Sequence, residues 1–374
     1  MRSAAARSLP AASRVRPSSR SSGHVDPPSP ATLEAHAPPT ARDAVRLLVA
    51  GLPAGGVRHA RFSDLPDLLD RGDVLVVNTS ATLPAALPAR RADGTVVRLH
   101  LSTPVPDATD EHWVVELRRA DRRMRDGRAG ERLALPGGAE ARLLGPYRGS
   151  RLWIASLLLD GPLLPYLERH GAPIRYAHVR GDFPLAEYQT VFAAEPGSAE
   201  MPSAGRPFTG RVVARLTARG VDVAPIVLHT GVSSLELGED PYPERFHVPS
   251  GTALRIEAAR RHGGRIIAVG TTVVRALESA VDEGGTLRAA GGWTDVVIGP
   301  ERGVQVADGI LTGFHDAGAS HLRLLEAVVG RVVMARAARA ASGAGYRRHE
   351  FGDVQLLVRE VSRPGTRPAR VGRS

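Results

Sequence analysis

The sequence predicts a layered α/β/α domain that is interrupted by a small inserted antiparallel β-barrel. Apolar strand-like runs alternate with helical stretches before residue 80 and after residue 160. Between them, short strand-like runs are separated by Gly, Pro and Asp turns, with few helical signals. We therefore predict a disordered Arg/Ser/Pro-rich tail at 1–40, an α/β domain at 41–80 and 160–358, an inserted barrel at 81–159 and a basic tail at 359–374.

The first part of the α/β domain has four predicted elements. A strand ends at Val49, and a run that pairs back as a hairpin follows a Gly-Gly turn. A short helix and a continuously apolar strand come next. The last three of these elements are predicted at 57–62, 64–69 and 74–77.

The inserted segment shows five strand-like runs. They are short, and turn residues bound each of them, which is typical of a small antiparallel barrel. The runs lie at 95–101, 112–117, 132–135, 139–144 and 151–158.

The second part of the α/β domain alternates helices and strands. Helical spacing of apolar residues follows Pro162, and recurs at 211–219, at 251–262 and from Ser320 onwards. Predicted strands lie at 221–228, 265–269, 295–298, 303–307 and 353–358.

One stretch, residues 264–280, organises the rest of the chain. A β-branched strand ends at Val269, Gly270-Thr271-Thr272 breaks it, and a helix begins at this turn. Such a turn collects free backbone N–H groups and two hydroxyls, which favour a carboxylate, a phosphate or a polarised oxygen; Arg275 could add a fixed positive charge. The alternative is a plain strand–helix connection with a threonine cap and a solvated Arg275.

Composition excludes several classes of chemistry. The chain has no cysteine and no lysine, which excludes thiolate metal sites, a cysteine nucleophile, Schiff-base chemistry and the P-loop lysine. The formal net charge is +10, but residues 1–24 and 359–374 hold ten arginines and only one acidic residue, so the body between them is nearly neutral. No apolar run is long enough to span a bilayer. We expect no membrane partner and a cytoplasmic protein.

Polar residues at the ends of other predicted strands are further candidates, because ligands bind at strand ends in open α/β sheets. His229 or His315 could act as a general base, since imidazole titrates near neutrality. Asp308, Glu244 and Asp353 could orient a base or bind ribose hydroxyls. The alternatives are histidines that are hydrogen-bonded within the fold and acids that cap helices and turns. No metal-ligand spacing and no GxGxxG after a strand is present.

Five motifs, in this order along the chain, resemble the S-adenosylmethionine:tRNA ribosyltransferase-isomerases of queuosine biosynthesis. The Glu-Tyr-Gln-Thr-Val-Phe and Ala-Val-Gly-Thr-Thr-Val-Val-Arg blocks are the specific ones, and the similarity runs from about Arg42 to Val358. The motifs lie at 46–49, 72–78, 187–192, 268–279 and 308–315.

The resemblance implies an α/β domain interrupted by a barrel, and a reaction without metal in which S-adenosylmethionine is the co-substrate. The ribosyl part of S-adenosylmethionine is transferred to the aminomethyl group of a 7-deazaguanine base in tRNA. Adenine and methionine leave, and the product is epoxyqueuosine. We expect a monomer that binds S-adenosylmethionine and tRNA.

Site roles follow by carrying the family's motifs onto this chain. We predict catalytic roles for His229, His315 and Asp308. Substrate-binding roles are predicted for Tyr188, Gln189, Ala204, Gly205, Gly231, Glu244, Gly270, Thr271, Thr272, Arg275, Thr312, Phe314 and Asp353.

The chain departs from the family pattern in several site loops. Thr79 is followed by Ser80 where the family has an arginine, and Arg206-Pro207 replace a Leu-His pair. Gly313 stands where the family has an asparagine. Two alternatives therefore stay open: transfer to another small nucleoside-type acceptor, and a non-catalytic binding protein.

Overall fold

The computed structural model describes residues 33–51, 56–106, 108, 111–120, 122–149, 151–232, 242–314 and 320–359. The described chain contains eighteen β-strands and five α-helices, together with short 3₁₀ helices. None of the described helices has the length and apolar character that a bilayer span requires.

The strands of the described chain, in order, are β1 (Arg46–Ala50), β2 (Val57–Arg61), β3 (Val74–Asn78), β4 (Ser80–Thr82), β5 (Ala86–Arg90), β6 (Val96–Pro104), β7 (His112–Arg119), β8 (Arg122–Arg123), β9 (Arg132–Ala134), β10 (Glu140–Tyr147), β11 (Leu152–Leu158), β12 (Glu195–Ser198), β13 (Asp222–Leu228), β14 (Glu244–Val248), β15 (Ile266–Val269), β16 (Ala290–Thr294), β17 (Gly309–Gly313) and β18 (Val354–Val358). The helices are α1 (Leu163–His170), α2 (Gly210–Ala218), α3 (Ser250–Arg261), α4 (Thr271–Ser279) and α5 (Ser320–Ala344).

Nine strands form one large sheet in the order β16-β14-β13-β3-β15-β17-β18-β1-β2. The central strands β13, β3, β15 and β17 are parallel to one another. β18 is antiparallel to β17 and parallel to β1, and β14 is antiparallel to β13. The first and last strands of the domain are therefore neighbours near one side of the sheet.

Alternate residues of the sheet strands belong to two different cores. One face carries Leu75 and Ile267, and packs with α2 and the aromatic rings of Phe62 and Phe208. On the other face, apolar side chains of the same strands pack with α3, α4 and α5. Burial on both faces explains the continuously apolar strands, and it confirms the predicted layered α/β/α architecture.

The inserted segment forms a closed antiparallel barrel. Its sheet has the order β11-β10-β9-β5-β6-β7-β8, and an additional pairing of β11 with β7 closes six of the strands. The interior is a separate apolar core that includes Leu99, Val115, Leu143 and Trp153. The predicted barrel is thereby confirmed; the exact domain boundaries, 81–159 for the insertion, stay a prediction.

Several features differ from the sequence prediction, and strands β4, β8, β12 and β14 were not predicted. Residues 295–298 and 303–307 were expected as strands but form no strand, because the edge strand lies earlier, at β16, and the central strand lies later, at β17. The barrel strand β5 was missed. Its Pro88 weakens the sequence signal for a strand, yet β5 pairs with β6 along all five residues and with β9 at only one.

Candidate active site

The carboxyl ends of four parallel strands meet at one edge of the large sheet. β13, β3, β15 and β17 all end there, and the antiparallel strands β14 and β18 begin there. We call this the site edge. The polar side chains predicted from separate motifs are brought together in this way. The residues at or next to it are Asn78, His229, Gly231, Glu244, Gly270, Thr271, Thr272, Thr312, Phe314 and Asp353.

The turn between β15 and α4 lies in the middle of the site edge. Gly270 has φ +94° and ψ 158°, a conformation that residues with a side chain rarely adopt. Its N–H donates to the Leu311 carbonyl at 2.8 Å, which holds the turn against β17. α4 begins directly at Thr271, so its first N–H groups and the half-buried hydroxyls of Thr271 and Thr272 face the same region. This arrangement favours a negatively charged or strongly polarised ligand atom.

Asn78 joins the neighbouring strand end to this turn. Its side-chain oxygen accepts N–H groups of Leu228 and Ser80, both at 3.0 Å, and its nitrogen donates to the Leu228 carbonyl at 2.8 Å. The same nitrogen lies 3.5 Å from the Thr272 hydroxyl. Asn78 therefore fixes β3, β13 and α4 relative to one another.

His229 follows β13 and is held by a chain of two buried serines. Its Nδ1 lies 2.7 Å from the Ser80 hydroxyl, which lies 2.6 Å from the Ser198 hydroxyl. Gly197 packs so closely on the ring that a Cβ there would lie 2.3 Å from Nδ1. Burial, together with the positive charge of Arg245, lowers the pKa of His229 to about 4. The imidazole is therefore neutral at physiological pH.

Arg275 and Glu244 form a buried ion pair, and not a free cation beside a free carboxylate. The guanidinium contacts Glu244 and donates to the carbonyls of Thr294 and Val296. Glu244 also accepts the Gly231 N–H at 2.9 Å. The expectation that Arg275 adds a net positive charge for a ligand is thus not met, because its charge is compensated inside the protein. The pair holds Gly231 and β14 against α4.

Tyr188 and Gln189 belong to the wall behind the site edge. The Gln189 amide both accepts from and donates to the backbone of Thr82, at 2.9 and 2.8 Å, so it extends the strand pairing. Tyr188 is buried against Phe351, and burial raises the pKa of its hydroxyl to about 12. Both side chains make contacts within the protein, and their predicted substrate-binding role stays a prediction.

Ala204 and Gly205 lie in a 3₁₀ turn that covers the Gly270 turn. A Cβ on Gly270 would lie 3.3 Å from the Ala204 Cβ, and a Cβ on Gly205 would lie 3.2 Å from the Thr190 methyl. The loop and the turn thus touch with no room for larger side chains. Ala204 lies next to the Gly270 turn, and the substrate-binding role of Ala204 and Gly205 stays a prediction.

Thr312, Phe314 and Asp353 lie along the β17 and β18 part of the site edge. Thr312 is buried within β17, and the Phe314 ring packs on Tyr346 with centroids 5.1 Å apart. The Asp353 carboxylate accepts from the backbone N–H and the guanidinium of Arg46, both at 2.8 Å. Asp353 is therefore already bound by protein groups.

Asp308 does not lie at the site edge. It precedes β17, and its carboxylate accepts the Ile266 N–H at 2.9 Å, at the start of β15. Parallel strands place both starts at the opposite edge of the sheet. The catalytic role expected for Asp308 is therefore inconsistent with its position, whereas the prediction for His315 falls outside the described residues.

The sequence reasoning did not select four residues that organise the site. These are Asn78, Ser80 and Ser198, described above, and Arg206, which is buried, donates to Glu187 and lies over the Phe351 ring at 4.8 Å. Asn78 and Ser80 follow a predicted strand directly, and that position was the available signal. Among the described residues, no group of three or more His, Asp or Glu side chains could hold a metal ion.

Comparisons with known proteins agree with this fold. The sequence model of one family, described as "Queuosine biosynthesis protein", matches residues 28–357. The S-adenosylmethionine:tRNA ribosyltransferase-isomerase of Symbiobacterium thermophilum is 36% identical in an alignment of 342 residues, and the match covers 88% of this chain and 97% of the relative. The protein of the same name from Acidithiobacillus ferrooxidans is 37% identical over 344 residues, with 89% and 97% covered.

A solved structure is similar over the same length. The S-adenosylmethionine tRNA ribosyltransferase from Thermotoga maritima has a TM-score of 0.50 and 27% identity to this chain, and the match covers 88% of this chain and 98% of that one. The motif resemblance is thereby confirmed along nearly the whole fold. The chain belongs to the queuosine biosynthesis protein family.

Proposed function

We propose that this protein transfers the ribosyl moiety of S-adenosylmethionine to the 7-aminomethyl-7-deazaguanine base of tRNA and isomerises it, giving epoxyqueuosine. The observation that carries the proposal is the site edge itself. There the Gly270-Thr271-Thr272 turn, a helix N-terminus and a neutral His229 converge in a chain whose relatives bear this activity in their names.

The reaction makes two demands that protein groups can meet. A C–H bond next to the sulfonium is acidic because the positive sulfur stabilises the carbanion, so a base is required. The departing adenine takes up the electrons of the glycosidic bond, so hydrogen-bond donors aimed at its nitrogens lower the barrier. Neither demand requires a thiol or an amine, and the chain has no cysteine and no lysine.

The site edge offers donors for a nucleoside that carries a carboxylate. We assign the carboxylate of the methionine part to the first N–H groups of α4 and the hydroxyls of Thr271 and Thr272. His229 follows β13, which β3 separates from β15, and would contact the ribosyl or adenine part. Glu244 and Arg275 neutralise each other and act by holding Gly231 in place.

The remaining predicted residues shape the pocket. Ala204 and Gly205 would limit its size from one side, and Thr312 and Phe314 from another. His315 stays a candidate base, directly after Phe314 in sequence. The monomeric state, the cytoplasmic location and independence from metal also stay predictions, and the last is tested by including a chelator in the assay below.

The direct test is release of adenine. The protein is incubated with S-adenosylmethionine and tRNA bearing 7-aminomethyl-7-deazaguanine, and free adenine is followed by chromatography. We expect adenine to appear in proportion to the modified tRNA, and to decrease strongly in the His229→Ala variant.

The acceptor is identified by matched incubations. tRNA with the unmodified guanine should release no adenine, and the free 7-aminomethyl-7-deazaguanine base should release much less than the tRNA does. If the free base supports turnover and tRNA does not, the acceptor is a small molecule, as the nearly neutral body of the chain would favour. If no acceptor supports turnover while S-adenosylmethionine still binds, the protein is a non-catalytic binding protein.

A further inference from the structure

The two serines behind His229 form a rigid structure. Ser80 lies on β4 and Ser198 on β12, and these two strands pair in parallel. Both residues have 0% of their surface exposed. The Ser80 N–H is also bound to the Asn78 side chain, at 3.0 Å. Neither hydroxyl can therefore exchange its hydrogen bond within this group for one with solvent.

The hydrogen bonds of these groups run in only one satisfactory direction. The Thr230 N–H donates to the Ser198 hydroxyl oxygen at 3.0 Å. The Ser198 proton then has one acceptor within the described chain, the Ser80 oxygen at 2.6 Å. The Ser80 proton is left for His229 Nδ1 at 2.7 Å. If Nδ1–H of His229 donated to Ser80 and Ser80 donated to Ser198, the buried Ser198 proton would have no acceptor within the described chain, which is unfavourable.

We propose that the Thr230–Ser198–Ser80 chain makes Nδ1 of His229 a hydrogen-bond acceptor and thereby fixes the neutral imidazole with its proton on Nε2. Ser80 and Ser198 are then positioning residues. His229 presents an N–H to the site edge, and its only basic nitrogen is occupied by Ser80.

The role of His229 follows from this tautomer. A neutral imidazole with Nε2–H donates a hydrogen bond and cannot remove a proton through that atom. Given the proposed function, His229 stabilises a ligand lone pair, such as an adenine nitrogen or a ribosyl oxygen, and another group removes the proton next to the sulfonium. The structure assigns His229 as the donor of the reaction and not as its base.

The tautomer can be measured without any assay of activity. In the full chain labelled with ¹⁵N-histidine, long-range ¹H–¹⁵N correlation spectra at pH 7.5 report which ring nitrogen carries the proton. The signals of His229 are identified by their loss in the His229→Gln variant. We expect an unprotonated Nδ1 and a protonated Nε2. A protonated Nδ1 in the unaltered chain would overturn the proposal.

Two serine variants test the cause. In Ser80→Ala, the two nitrogen shifts of His229 should move toward each other, because the tautomers then mix. Ser279→Ala is the matched control: it removes a hydroxyl that also lies 2.6 Å from another hydroxyl, that of Thr294, but that does not contact His229. It should leave the His229 signals in place. Unchanged ¹⁵N shifts of His229 in a folded Ser80→Ala variant would also refute the role of the Thr230–Ser198–Ser80 chain.

The activities of two His229 variants distinguish a hydrogen-bond donor from a general base at this position. Glutamine carries an N–H group at about the position of Nε2 but no basic nitrogen. We expect His229→Ala to lower kcat of adenine release by about 100-fold, and His229→Gln to stay at least about tenfold above it. Equal loss in both folded variants contradicts the donor role. Absence of turnover in the unaltered chain would instead refute the proposed function, and the tautomer measurement would still decide the inference.

Discussion

Replacement of Gly270 by alanine tests the turn at the centre of the site edge. The new methyl group must adopt φ +94° and ψ 158°, and it must lie 3.3 Å from the Ala204 Cβ. Both effects push the chain away from its present path. Because Thr271 and Thr272 follow at once, the change also displaces the first turn of α4.

The expected loss of stability follows from one free-energy contribution in the folded chain and one in the unfolded chain. A residue held in this backbone region costs about 1–3 kcal/mol, and the loss of glycine freedom in the unfolded chain returns about 0.4–1 kcal/mol. The net destabilisation should therefore be about 1–2 kcal/mol, and the short contact with Ala204 adds to it. A displacement of a few tenths of an ångström at the binding groups should lower kcat/KM by about three- to tenfold, since 1 Å costs about a hundredfold.

Urea denaturation gives the free energy of unfolding, and adenine release gives kcat/KM. Gly72→Ala is the matched control, because Gly72 has φ +92°, precedes β3 at the opposite edge and has no atom within 4 Å of the added Cβ. It should lose similar stability and keep kcat/KM. The double variant Gly270→Ala/Ala204→Gly should recover the part due to the contact. Full stability and full kcat/KM in Gly270→Ala would refute the reasoning.

Three further predictions concern charged groups. The pKa of His229 is lowered to about 4, so between pH 4 and about 6.5 the unfolded chain binds a proton at this residue that the folded chain does not. The free energy of unfolding should therefore fall as the pH is lowered through this range. The His229→Gln variant should lack this contribution to the pH dependence. Arg275→Met leaves Glu244 buried and unpaired and should cost about 3–5 kcal/mol in urea denaturation, part of which Arg275→Met/Glu244→Gln recovers; a loss below 1 kcal/mol would contradict the buried pair. Asp308→Asn weakens the bond to the Ile266 N–H and should cost about 1 kcal/mol with little effect on kcat/KM, whereas a hundredfold loss of kcat/KM in a stable variant would restore a catalytic role.

The strand, turn and helix around Gly270 could be predicted because their signals are local. A β-branched run, a glycine and helical spacing of apolar residues follow one another within seventeen positions. The same holds for most barrel strands. Strand β5 was missed because Pro88 lowers the local signal, and only the pairing with β6 reveals it. Local patterns thus predicted the elements, but not every partner.

The candidate site was predicted less completely because its contacts are distant in sequence. Asp308 and Thr312 belong to one motif, yet β17 runs between them, and a strand rises about 3.3 Å per residue, so they lie near opposite edges. Arg275 resembles a solvated residue in the first turns of a helix, and its pairing with Glu244 depends on the fold. The serine chain behind His229 joins three segments in the same way.

The position of β18 has a consequence for synthesis and truncation of the chain. This last strand lies between β17 and β1, with backbone pairing to both. During translation, the β1–β2 hairpin has no further strand of the large sheet to pair with until residues 354–358 leave the ribosome. A stop codon shortly before Val354 would therefore detach both ends of the domain at once, although it removes few amino acids.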